Sequence, residues 1–191
     1  MKNIWQYSSS EVTILPFIYR PAITIGESLS SYIHRTSKEN YVSVHELWRL
    51  IAREGAHYPQ ASISSNIDIY PYNLIDINQL ADLLNTNSAG LDALTFIPVY
   101  ENLGIAKDYI PNSRALSGSI STYRRYCPEC LRYNKFYKLI WQVNELQYCS
   151  EHNTVLLNKC YNCNKSIPIL PNVNELGICP YCNFNLTCSA N

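Results

Sequence analysis

All eight cysteines of this 191-residue chain lie after position 126. Cys127 and Cys130 stand two residues apart, and Cys149 and His152 repeat that spacing after an interval of 18 residues. Cys160 and Cys163 are followed, 15 residues later, by Cys179 and Cys182. A Cys-x-x-Cys turn aims both sulfurs at one centre about 2.3 Å away, and a second turn completes a tetrahedron of soft, deprotonatable ligands. The spacing predicts two structural zinc ions, one on Cys127, Cys130, Cys149 and His152, the other on Cys160, Cys163, Cys179 and Cys182. A disulfide framework would need an oxidising compartment, and residues 1–10 carry no apolar run with a small-residue cleavage site. Sequential pairing of the turns closes the shorter loops and is preferred. Cross-braced pairing, first turn with third and second with fourth, stays open. In either arrangement protein fills every coordination position, leaving none for an activated water. Cys188 is left over as a free thiol.

Other side chains offer binding chemistry. Arg124, Arg125, Arg132, Lys135 and Lys138 form the densest basic cluster and could meet phosphates without reading sequence. His45, Arg49 and Arg53 fall on one face of a short amphipathic segment and could approach DNA, or form a solvated face pairing with Glu46 or Glu54. Tyr126, Tyr148, Tyr161 and Tyr181 each adjoin a ligand cysteine, for which packing around the metal is preferred to base stacking. Catalytic signatures are missing: there is no P-loop, no His-Glu-x-x-His helix and no His-x-Glu beside the Cys-Pro-x-Cys turns. His34, His45 and His57 occur singly, and no enzymatic activity is expected.

These groups need elements to hold them. Thr24 with Glu27, and Ser43 with Glu46, have capping-box spacing. They predict helices over 25–40, with Leu29, Tyr32, Ile33 and Thr36 on one face, and over 44–53, with Val44, Leu47, Leu50 and Ile51 inward. The short break between them makes a helix-turn-helix. Residues 61–73 read as loop. Asp76 and Gln79 open a third helix carrying Leu80, Leu83 and Leu84, and Ser88 caps a fourth carrying Leu91, Leu94 and Phe96. Residues 113–122, rich in Ser and Gly, predict a linker. Trp141, Val143, Leu146, Leu156 and Leu157 should make short strands and a mini-core between metal turns. The fold class is therefore a mainly α domain with helix-turn-helix units over 1–120, then two small zinc-ribbon or zinc-knuckle modules, 121–158 and 159–191.

The chain carries 15 Lys+Arg and 15 Asp+Glu. Residues before Arg114 hold 7 Lys+Arg against 11 Asp+Glu, those from Arg114 onward 8 against 4. Thiolate ligands would cancel most of the second excess. Nucleic-acid contact is thus expected from a local patch rather than from a strongly basic domain. The apolar stretch 14–25 is interrupted by Arg20 and two prolines, so no membrane span is expected, and the default compartment is the cytoplasm.

Residues 126–184, with CPEC, IWQVNELQYCSEH, VLLNKCYNC and CPYC, resemble the zinc region of the TniQ family. The opening LPFIYRPAITIGESLSSYIHRTSKENYVSVHEL is similar to that family's amino-terminal helix-turn-helix. The resemblance implies a bacterial transposition target-selection adaptor that contacts target DNA or a target-bound complex and recruits a TnsC-like AAA+ ATPase without cutting DNA. Short members of this length act beside RNA-guided effectors in CRISPR-associated transposons, whereas longer TnsD-type members continue into further DNA-binding domains. An attachment-site selector, a transcription regulator and a protein-only cap on the ATPase oligomer are the alternatives.

Overall fold

The computed structural model describes residues 15–56, 66–173 and 175–188. His57, residues 1–10 and the first part of the expected 61–73 loop lie outside them. Helix α1 (Leu29–Glu39) buries Leu29, Tyr32, Ile33 and Thr36, the face selected by periodicity. It begins later than expected. Gly26, at φ +80°, turns the chain there, and the Glu27 amide donates to the Thr24 carbonyl instead of completing a capping box. Ser28 is the N-cap, accepting from the Ser31 amide. Glu27 is unavailable for capping because its fully buried carboxylate meets Arg35 at 2.6 Å and accepts from the Ser31 hydroxyl.

In α2 (Val44–Ile51) both halves of the Ser43–Glu46 capping box are formed. Val44, Leu47 and Ile51 point inward as expected, but Leu50 is 39% exposed and Trp48 takes the inward place. The helix stops at Ile51, short of Arg53, because Ala52 turns extended to bridge Ile75 and the Arg53 amide donates to the Leu74 carbonyl. The described part of the expected loop is not irregular: α3 (Asn66–Ile69) and a 3₁₀ turn (Pro71–Asn73) bury Ile67, Asp68 and Pro71. Helix α4 (Ile77–Leu84) is capped by Asp76 and ended by Asn85 in the left-handed region. Asn87, one residue before the expected Ser88, caps α5 (Ser88–Asp92). Leu94 and Phe96 are buried beyond that helix, and Phe96 leads into α6 (Ile97–Asn102), which has proline in its first turn.

One apolar core joins α1, α2, α4 and α5 and takes in Ile169 and Leu170 from between the last cysteine turns. A second gathers around Phe96, Ile97, Tyr100 and Ile110. The expected linker is part of this packing. Leu116 and Ile120 rest against the second core, Ile120 bridges Val143, and the Ser121 amide donates to the Gln142 carbonyl. A third core of Tyr126, Leu131, Tyr137, Trp141, Leu156, Ile167 and Leu186 surrounds the cysteines. Among the described residues the expected strands reduce to isolated antiparallel bridges, among them Tyr126 with Leu157, Tyr148 with Val155, Lys159 with Ser166 and Ile178 with Asn185.

Candidate metal centres and the basic residues around them

Three of the four ligand turns share one backbone form, and each is followed by asparagine. The Cys149 amide donates to the Thr154 carbonyl and the Asn153 amide to the Cys149 carbonyl. The same pair of bonds recurs for Cys160 with Lys165 and Asn164, and for Cys179 with Phe184 and Asn183. Asn153, Asn164 and Asn183 sit at φ +51°, +56° and +57°, a region that asparagine tolerates better than other side-chain-bearing residues. The first turn differs: Cys127 and Cys130 flank the start of α7 (Pro128–Tyr133), with Cys127 as N-cap and Pro128 at the first position. The repeated asparagine was a signal in the sequence that spacing alone did not use.

These turns bring the ligands together in sequence order. Cys127, Cys130, Cys149 and His152 present ligand atoms within 4.8 Å of one another, and so do Cys160, Cys163, Cys179 and Cys182. The turns therefore meet in sequential rather than cross-braced order. Cys130 Sγ lies 3.5 Å from Cys149 Sγ, and His152 Nδ1 lies 3.6, 3.2 and 3.7 Å from Cys127, Cys130 and Cys149 Sγ. In the second tetrad Cys160 and Cys182 are 3.6 Å apart, Cys163 and Cys179 3.7 Å. A tetrahedron with bonds of about 2.3 Å has edges of about 3.8 Å, so both sets fit a zinc-sized ion. A metal held there would act as a structural cross-link, with all four positions taken by protein.

Burial and local hydrogen bonds move the thiols in opposite directions. Burial raises the Cys149 pKa, but the amides of Glu151 and His152 outweigh it and bring the thiol down to about 7. The Asn162 side chain and the Phe184 amide lower Cys182 to about 6. Burial pushes Cys179 up to about 12 and raises Cys130 and Cys160 as well. Cys188 is exposed and belongs to neither tetrad.

The basic cluster around the first tetrad is dispersed by the fold. Arg124, expected at phosphates, is 2% exposed. Its guanidinium donates to the Ser28 hydroxyl at 3.1 Å, to the Ser30 hydroxyl at 2.8 Å and to the Ile169 carbonyl, and lies 4.4 Å over the Tyr137 ring. Ser30 passes the interaction on, donating its hydroxyl to Asp68 at 2.6 Å and its amide at 2.7 Å, while Gln142 donates to the same carboxylate at 2.6 Å. Burial pushes the Asp68 pKa up, against the charge of Arg124 and these donors. Arg125 is 6% exposed and gives its guanidinium to the Val143 and Leu146 carbonyls. Both guanidiniums are withdrawn from the surface and bonded to protein oxygens, with Arg124 Nε buried and left without a hydrogen-bond partner.

Other basic residues are more exposed. Lys138 is half-buried and paired with Glu151, whose other oxygen lies 3.3 Å from Cys130 Sγ. Arg132 pairs with Glu129 at 3.0 Å. His45, Arg49, Arg53 and Lys135 are exposed, although Arg53 donates to the Tyr72 carbonyl at 2.7 Å. Of the tyrosines beside ligands, Tyr126 packs as preferred, 1% exposed and donating to the Lys159 carbonyl. Tyr148, Tyr161 and Tyr181 instead stand on the surface, 55%, 65% and 47% exposed.

The loops between ligand turns join these centres to the helices. In the first module the Leu139 amide donates to Gly26, the Tyr137 carbonyl accepts from Ser28, and the Tyr137 amide donates to the Ser31 hydroxyl. These bonds fasten α1 and the turn before it to the loop of the first tetrad. The family model TniQ matches residues 18–156, and the chain belongs to the TniQ family, a transposition-associated family of non-catalytic accessory domains. The match covers the described helices and the first tetrad and ends before the second. No curated protein matches the chain. No helix among the described residues is long and apolar enough to cross a membrane.

Proposed function

We propose that the protein is a transposition target-selection adaptor. It engages target DNA or a DNA-bound targeting complex, such as an RNA-guided effector, and recruits a TnsC-like AAA+ ATPase in the bacterial cytoplasm. Membership of the TniQ family is the observation that carries this reading. Two further features support it. The tetrads leave no open coordination position, which suits structural zinc in both and a scaffold rather than an enzyme. The α1–α2 pair, read as a helix-turn-helix, presents His45 and Arg49 outward from α2, with Arg53 just beyond it.

With Arg124 and Arg125 removed from the surface, the remaining candidates for DNA are His45, Arg49, Arg53 and Lys135, and Lys138 only where it leaves Glu151. That footprint suits a few phosphate contacts better than reading of an attachment site. It gives weight to contacts with proteins already on the target.

The test is zinc content together with capture of the cognate ATPase, with and without DNA, in one preparation at two salt concentrations. Two zinc ions and DNA-enhanced, salt-sensitive capture are expected. Capture indifferent to both DNA and salt would replace the reading with a protein-only adaptor. Fewer than two zinc ions would overturn the scaffold argument.

A further inference from the structure

The second tetrad lies outside the matched family region, yet the loop between its two turns is fastened to the helices. Residues 167–173 and 175–177 lie between the Lys159–Ser166 bridge and the Ile178–Asn185 bridge. Ile169 and Leu170, 0% and 1% exposed, enter the core of α1, α2, α4 and α5. The Ile167 carbonyl accepts from the Arg124 amide at 2.8 Å, and the Ile169 carbonyl from the Arg124 guanidinium. Asn172 Oδ1 accepts from the His45 amide at 3.4 Å, meeting one of the N–H groups that the start of α2 leaves without an intrahelical partner. Glu175 reaches Lys38 of α1 at 3.0 Å, and the Gly177 amide donates to the Tyr137 hydroxyl at 3.3 Å.

The tetrad brings the two ends of this strap together, since Cys163 and Cys179, which flank it, have their sulfurs 3.7 Å apart. Without a shared ion, four close thiols give no cross-link, and closing the loop falls to the strap's own contacts. We infer that the second tetrad, once metal-loaded, locks this strap, through Ile169, Leu170, Asn172 and Glu175, onto α1 and α2, so that metal in this centre sets the order of α2 and of its outward face. The strap is a positioning element for the α1–α2 pair, whether that pair meets DNA or protein.

Hydrogen–deuterium exchange on the full, zinc-loaded chain tests this. In Cys179→Ser/Cys182→Ser, zinc content falls from two ions to one, and the peptide spanning α2 exchanges at least about tenfold faster, while the peptide spanning α6 keeps its protection. Unchanged α2 exchange with the second centre lost would overturn the inference, as would equal acceleration of α2 and α6, which would signal collapse of the whole fold. Ile169→Ala/Leu170→Ala cuts the strap from the core without touching a ligand. It is expected to retain two zinc ions and to show the same selective loss at α2; full protection there would also overturn the inference. No DNA or ATPase enters the measurement, so its failure leaves the adaptor reading untouched.

Discussion

Replacing Arg124 by methionine separates a buried staple from a phosphate contact. The guanidinium supplies three hydrogen bonds, to Ser28, Ser30 and Ile169, and balances the fully buried Asp68 through Ser30. Methionine keeps most of the apolar volume but removes the charge and every donor. Taking one partner out of a buried charge network typically costs about 3–5 kcal/mol. In a chain of this size each kcal/mol moves the melting temperature by about 2–4 °C, so a fall of roughly 10 °C is expected. Lys135→Met, at an exposed position, should stay within about 0.5 kcal/mol of the parent. Thermal unfolding at saturating zinc, followed by circular dichroism, measures both. Arg124→Met/Asp68→Asn should lose less than the two single changes added together, because it no longer strands a charge. If Arg124→Met melted with the parent and lost DNA affinity instead, the staple would be refuted and the phosphate role restored.

Two further perturbations test local features of the fold. His34 is 1% exposed, and burial, followed by the charge of Arg124, holds its pKa down to about 4. Below pH 6.5 the unfolded chain therefore binds a proton that the native one refuses, and this stability is lost as pH falls toward 4. Between pH 7 and 5 the stability difference between parent and His34→Leu should shift by about 2 kcal/mol in favour of the variant, measured by urea unfolding; a pH-independent difference would contradict neutral burial. Asn183→Ala should cost about 1 kcal/mol, because alanine pays for the left-handed backbone at φ +57°, while Asn183→Gly should be close to neutral. Equal losses in the two variants would shift the role of Asn183 from backbone to side chain.

What the sequence determined by itself was local. Eight candidate ligands could be named because a Cys-x-x-Cys or Cys-x-x-His turn needs only its own four residues to aim two donor atoms at one centre, and the spacing repeats. The Ser43–Glu46 box and the Asp76 cap were legible for the same reason, since each closes within one helical turn. Tertiary structure decided everything whose partner is distant in the chain. A run of basic residues looks alike whether water or a buried carboxylate neutralises it, so only the fold could place Arg124 beside Ser30 and Asp68. Helical periodicity could not choose between Leu50 and Trp48 for the inward position of α2, because that depends on what packs above it. Spacing could only favour the sequential pairing of the turns, and it could not show that Ile169 and Leu170 complete a core begun by α1, since such contacts follow from chain path rather than local geometry.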